Sequence, residues 1–153
     1  MKFMKMVMNM RVIDSTLSGR IDEFENIMCF SRAISIKELI EDLNKIDFFT
    51  IGFSNDIGSY DGGLFWHSFE TTKNLVKLTK GLNIKWASQD TPYVLGMFYN
   101  LNHCLNLKEC IDLLSKYLDL TMEEQRCLNS DLDCSNLVYV KLADIMTKCI
   151  NKL

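Results

Sequence analysis

The sequence predicts an all-α protein, an irregular bundle or a stack of helix pairs built from about seven helices. Three observations carry that expectation. From about residue 17 onward, apolar residues recur at three- and four-residue spacing. Hydroxyl, amide or proline start signals precede most of these stripes. Proline occurs once in 153 residues, so helix breakers are scarce. Residues 1–153 are read as a single domain, with no low-complexity linker to divide them.

The first ten residues hold five of the nine methionines, and residues 1–13 carry Lys2, Lys5 and Arg11 with no acid. Lys5 and Asn9 interrupt the apolar stretch and no small-residue cleavage site follows, which argues against a signal peptide. Two readings of 1–13 stand. The alternation of Met4, Met6, Met8 and Met10 fits a short edge strand; otherwise the segment precedes the biological start and is disordered.

Segment 17–30 then sets Leu17, Ile21, Phe24 and Met28 at i, i+4, i+7 and i+11, one apolar stripe. Ser35 followed by Glu38 reads as a capping box for a helix whose face is Ile36, Leu39, Ile40, Leu43 and Ile46. The run Phe48-Phe49-Thr50-Ile51-Gly52-Phe53 fits either a buried helical turn or a strand. Residues 54–63, dense in Ser, Asn, Asp and Gly, read as a loop. A helix over about 64–80 follows, with Gly81 placed as its C-terminal cap. Thr91-Pro92 starts a helix reaching about Cys104; Asn106 with Glu109, and Thr121 with Glu124, start two more. Ser135 begins the last, through Leu137, Val140, Leu142, Ile145, Met146 and Cys149.

Charge narrows the possible functions. The net charge is −3, with no dominant basic face, which argues against nucleic acid as partner. No apolar run approaches the roughly 18 residues of a membrane span, so no membrane association is expected. Residues 41–70 hold Glu41, Asp42, Asp47, Asp56, Asp61 and Glu70 against Lys45 alone. Residues 71–87 hold Lys73, Lys77, Lys80 and Lys85 with no acid. These are either two solvated faces or, in the first case, an acidic docking surface for a basic partner.

Catalytic chemistry finds little footing. The six cysteines are irregularly spaced without C-x-x-C, which suits buried free thiols in a reducing cytosol better than zinc or a disulfide scaffold. His103 adjoins Cys104, but neighbours on a helix point about 100 degrees apart. Gly62-Gly63 is followed by Leu64-Phe65 and not by the Lys-Ser of a phosphate loop. Asp56 and Asp61 do not follow an EF-hand pattern. No cofactor, metal or catalytic residue is assigned. Tyr60 in the loop and Trp66 at the following helix start, beside acids, are residue types favoured at binding hot spots; Trp66 and Trp86 can equally be core.

The order of the middle segment adds one further indication. Phe48-Phe49-Thr50-Ile51 with Phe53, Asn55-Asp56, Leu64 to Glu70, Lys85-Trp86-Ala87, and Leu95 to Asn102 follow one another over about residues 45–105. This order resembles the helical immunity proteins of bacterial contact-dependent inhibition and other polymorphic toxin systems. Members often carry a longer acidic run in the loop, where this chain has Asp56 and Asp61. The resemblance implies a small cytoplasmic protein, a monomer or weak dimer, that is not an enzyme. It would bind the C-terminal domain of a cognate protein toxin, frequently a nuclease, and cover its basic active site. Asp56, Tyr60, Asp61, Trp66, His67 and Glu70 are the expected contacts. The alternatives are a phage- or virus-encoded helical host-interaction protein and a small enzyme using Cys104 or Cys127 as nucleophile.

Overall fold

The computed structural model describes residues 16–54 and 59–152, with side chains to residue 150. Among the described residues the chain is all-α and contains no strand. The N-terminal strand expected within 1–13 lies outside them. Seven α-helices follow in order: α1 (Leu17–Met28), α2 (Ile36–Lys45), α3 (Gly63–Leu82), α4 (Thr91–Phe98), α5 (Leu107–Ser115), α6 (Met122–Leu128) and α7 (Leu137–Lys152). A 3-10 turn, Leu101–His103, lies between α4 and α5.

The long α3 is the spine, with α4 packed on one side and α7 on another. Gly96 permits the first contact: a side-chain carbon there would overlap the Thr72 backbone and come within 2.7 Å of its Oγ1. Phe48 and Phe49 are fully buried and meet Phe24, Phe65 and Phe98 with ring centroids 5.2–6.5 Å apart, mostly edge to face. That arrangement suits the aromatic quadrupole and joins α1, α3 and α4 around one point. The 48–53 run is therefore neither helix nor strand. It is a sequence of turns, opened by Asp47 at φ 62° and closed by the Thr50 and Ile51 amides donating to the Asp47 carbonyl at 3.1 and 2.9 Å.

Two capping boxes form as their spacing predicts. The Asn106 side chain accepts from the Glu109 amide, and the Thr121 hydroxyl from the Glu124 amide; each Glu answers the cap residue's own amide. The box expected at Ser35 does not form. Ser35 is left-handed at φ 50° and its side chain makes no cap bond. The entry to α2 is held instead by the Ile34 amide donating to the Tyr117 carbonyl at 2.9 Å, a tertiary bond that spacing within the helix cannot reveal. Gly81 is not a cap either: α3 continues past it, and Asn83 takes the left-handed position at φ 52°. Asn tolerates that conformation through its short polar side chain. The helix expected from 91 to about 104 ends at Phe98, and the last helix starts at Leu137, two residues after Ser135.

Candidate functional site

The segment before α3 is built around Arg20, a residue of α1 that is almost entirely buried. Its Nη2 donates to Asp61 Oδ2 at 3.1 Å and its Nη1 to the Asp61 carbonyl at 3.4 Å. The next residue, Gly62, has φ 81°, and a side-chain carbon there would sit 2.6 Å from Arg20 Nη1. Glycine is thus required twice, by the left-handed backbone and by the guanidinium beside it. The Gly62 amide donates to the Thr50 carbonyl at 2.9 Å and the Leu64 amide to Ile51 at 3.1 Å. These bonds tie the loop to the turns of 48–53. The loop therefore enters α3 in a defined geometry, with Tyr60 55% exposed and the Asp61 side chain 71% exposed.

Trp66 stands on the first turns of α3, half-buried, with Phe65 at 5.1 Å and Phe69 at 5.5 Å between centroids. Glu70 lies one turn further on the same face, 3.9 Å from Lys73 Nζ. Lys77 and Lys80 continue the exposed part of α3, so the acidic character stops within two turns of the loop.

Of the remaining acids of 41–70, Glu41 and Asp47 are exposed and Asp42 is tied to other side chains. Asp42 accepts from the Tyr117 hydroxyl and pairs with Lys45 at 3.7 Å, and that hydroxyl bond holds its carboxyl below the usual range despite its desolvation. The continuous acidic ridge expected from the sequence reduces to Asp61 and Glu70 flanking Tyr60 and Trp66. Asp56 lies outside the described residues. Trp86 belongs to the scaffold, its indole N–H donating to Thr79 Oγ1 at 3.0 Å.

His67 corrects the sequence reading. It is 1% exposed and so cannot be a surface contact. One residue beyond Trp66 means about 100 degrees around α3, which turns the imidazole inward toward α7. Its ring stacks on Phe53 at 3.8 Å, and Nε2 lies 2.6 Å from Asp144 Oδ1. Asn100 Nδ2 donates to the same oxygen at 2.9 Å, while Lys148 pairs with Oδ2 at 3.0 Å. Burial alone pushes the Asp144 carboxyl up. Hydrogen bonds from His67, Asn100 and Lys148 outweigh it and bring the group down to about 2. An ionised Asp144 only accepts, so the His67 Nε2 carries the proton.

One turn along, Thr71 Oγ1 and Asn74 Nδ2 both donate to Thr147 Oγ1, at 3.2 and 2.9 Å, closing a polar seam between α3 and α7. Local sequence pattern does not reveal the seam, because its α3 and α7 members are more than 70 residues apart. The one available signal was Asp144 itself, the sole acid in the 137–152 helix. Arg32 is a second residue whose partners are remote in sequence. It donates to Asp90 Oδ1 at 2.7 Å, to Glu124 through both terminal nitrogens, and to the Asp119 carbonyl at 2.8 Å.

Cys104, Cys110 and Cys127 are weak nucleophiles at neutral pH. Burial pushes Cys104 and Cys110 up to about 11, and Cys127 upward as well. Among the described residues, no group of three or more His, Cys, Asp or Glu side chains is arranged to hold a metal ion. No described helix is long and apolar enough to cross a membrane. Comparison of the chain with protein-family models, curated proteins and solved structures finds no match.

Proposed function

We propose that this chain is a non-enzymatic binding protein of the immunity kind, which neutralises a cognate toxin domain in the cytoplasm by covering its basic active site. The contacts are Tyr60, Asp61, Trp66 and Glu70. The observation that carries the reading is the Arg20–Asp61 clamp, which holds an exposed ring and an exposed carboxylate on a fixed loop at the start of α3. The 59–62 segment, held in place before binding, loses little conformational entropy on association. Tyrosine supplies a large rigid contact for few rotatable bonds. The Asp61 carboxylate, its charge balanced by Arg20 but its side chain 71% exposed, accepts hydrogen bonds from a cationic partner at close range. A nuclease active site, basic because it must hold phosphate, is such a partner.

The test is co-expression with the toxin domain encoded immediately upstream, followed by affinity measurement on the purified pair. The chain is expected to restore growth, and Tyr60→Ala to weaken binding by about 2 kcal/mol, roughly 30-fold, with the melting temperature unchanged. Wild-type affinity in both the Tyr60→Ala and the Glu70→Lys variants would remove this face from the interface. Toxicity undiminished by the wild-type chain would remove the function.

A further inference from the structure

We propose that Cys127 and Cys134 form a closable dithiol, an oxidation site at which exchange with a low-molecular-weight disulfide links the end of α6 to the turn before α7. The two Sγ atoms lie 3.4 Å apart, within thiol hydrogen-bond distance, and both residues are buried. The other four cysteines divide between exposed positions, Cys29 and Cys149, and the Cys104 and Cys110 region.

The backbone between the two sulfurs is fixed by short bonds. The Ser130 amide donates to the Cys127 carbonyl at 3.0 Å, with Ser130 left-handed at φ 54°. The Asp131 amide donates to Arg126 at 2.9 Å, the Cys134 amide to Asp131 at 2.9 Å, and the Leu137 amide to Cys134 at 3.1 Å. Arg126 Nε pairs with Asp131 Oδ2 at 2.9 Å across the same turn. The turn thus already brings the two sulfurs to 3.4 Å, and closure shortens that separation to a bond of about 2.05 Å.

The exchange runs in two steps. The Cys134 side chain, less completely buried than Cys127, attacks one sulfur of the external disulfide as thiolate and expels one equivalent of small thiol. Cys127 then loses its proton and attacks Cys134 Sγ, expelling the second. Two protein thiols are oxidised to one disulfide, one small disulfide is reduced to two thiols, and both protein protons leave on them. Burial, with Glu123 adding to it and Arg126 opposing it, raises Cys127 above its ordinary value, so the second step quickens as pH rises.

The full-length protein is equilibrated with varied ratios of oxidised to reduced glutathione, quenched in acid, unfolded and alkylated. Cleavage after Arg126 and Lys141 places both cysteines in one peptide, residues 127–141. That peptide is expected to pass in one step from two alkyl labels to none, its unlabelled form about 2 Da lighter than the dithiol. The oxidised protein should melt no lower than the reduced one. In Cys134→Ser, Cys127 should keep its label at every ratio.

Two labels persisting under oxidised glutathione alone would overturn the proposal. So would a glutathione adduct resting on Cys134, a bond to Cys104 or Cys110, a lower melting temperature for the closed form, or loss of the Cys127 label in Cys134→Ser.

Discussion

Two glycines of adjacent helices should respond to the same substitution with opposite signs. Gly96 of α4 faces Thr72 of α3 so closely that an added Cβ would overlap the Thr72 Cα and lie 2.7 Å from Oγ1 and 2.9 Å from Cβ. The first of these is backbone and cannot rotate away, so α3 and α4 must separate by about 1 Å along the whole contact. Overpacking of this kind costs about 1–3 kcal/mol. At about 2–4 °C per kcal/mol for a chain this long, Gly96→Ala should lower the melting temperature by about 2–12 °C. Gly81, inside α3, has nothing within 4 Å of its virtual Cβ. Alanine there restricts the unfolded chain and favours helix, a gain of about 0.5–1 kcal/mol, so Gly81→Ala should melt about 1–4 °C higher. Differential scanning calorimetry or a circular-dichroism melt resolves both. A left-handed cap at Gly81, as the sequence alone suggests, would make Gly81→Ala destabilising. A lowered melting temperature for Gly81→Ala, or an unchanged one for Gly96→Ala, refutes the helix register and the close approach, respectively.

The polar clusters yield two further expectations. Glu124 is fully buried, holds Arg32 and accepts from the Thr91 hydroxyl at 2.8 Å, so Glu124→Gln should cost about 2 kcal/mol in urea unfolding; Arg32 is partly solvated, which keeps the loss below that of a sealed pair. Stability should also fall with acid in two stages. Partial desolvation against Phe53 lowers His103 below its ordinary 6.5, helped by His67 and Lys148 and opposed by Asp144; because the side chain is still exposed, this upper stage is the shallower of the two. The unfolded chain therefore takes up the His103 proton more readily, and stability present at neutral pH is lost as pH falls through about 6.5. Asp144, at about 2 against 3.8 when unfolded, contributes stability above 3.8 that is lost between those values. Melting temperature against pH should show both stages, and His103→Gln should abolish the upper one alone; persistence of that stage in the variant would assign it elsewhere.

Helix existence was legible because it is written locally. The stripe of α1 and the boxes at Asn106 and Thr121 involve residues within a few positions of one another; both boxes form, and Ile21, Phe24 and Met28 of the stripe pack inward while Leu17 stays 42% exposed. Features set by distant partners were not legible. The Ser35 entry depends on Tyr117, and the inward turn of His67 on Asp144, 77 positions away. Periodicity reads which side of a helix is apolar, but α3 is flanked by neighbours on two sides and buries polar groups as well, including Ser68, Thr71 and Thr72. Of the site, the exposure of Tyr60 and Asp61 was readable from the turn-forming loop around them. That Asp61 is tied to the first helix was not, since Arg20 looks on paper like one more solvated cation.

That tie constrains how such a chain can diversify. Arg20, Asp61 and Gly62 have interlocking shapes and charges, so drift at any one of them strands the other two. Tyr60, 55% exposed, stands outside that trio. A lineage acquiring a new binding preference would therefore alter the residue at the tip while keeping the anchoring trio intact. Transplanting 59–62 into another scaffold would succeed only if a matching arginine travelled with it.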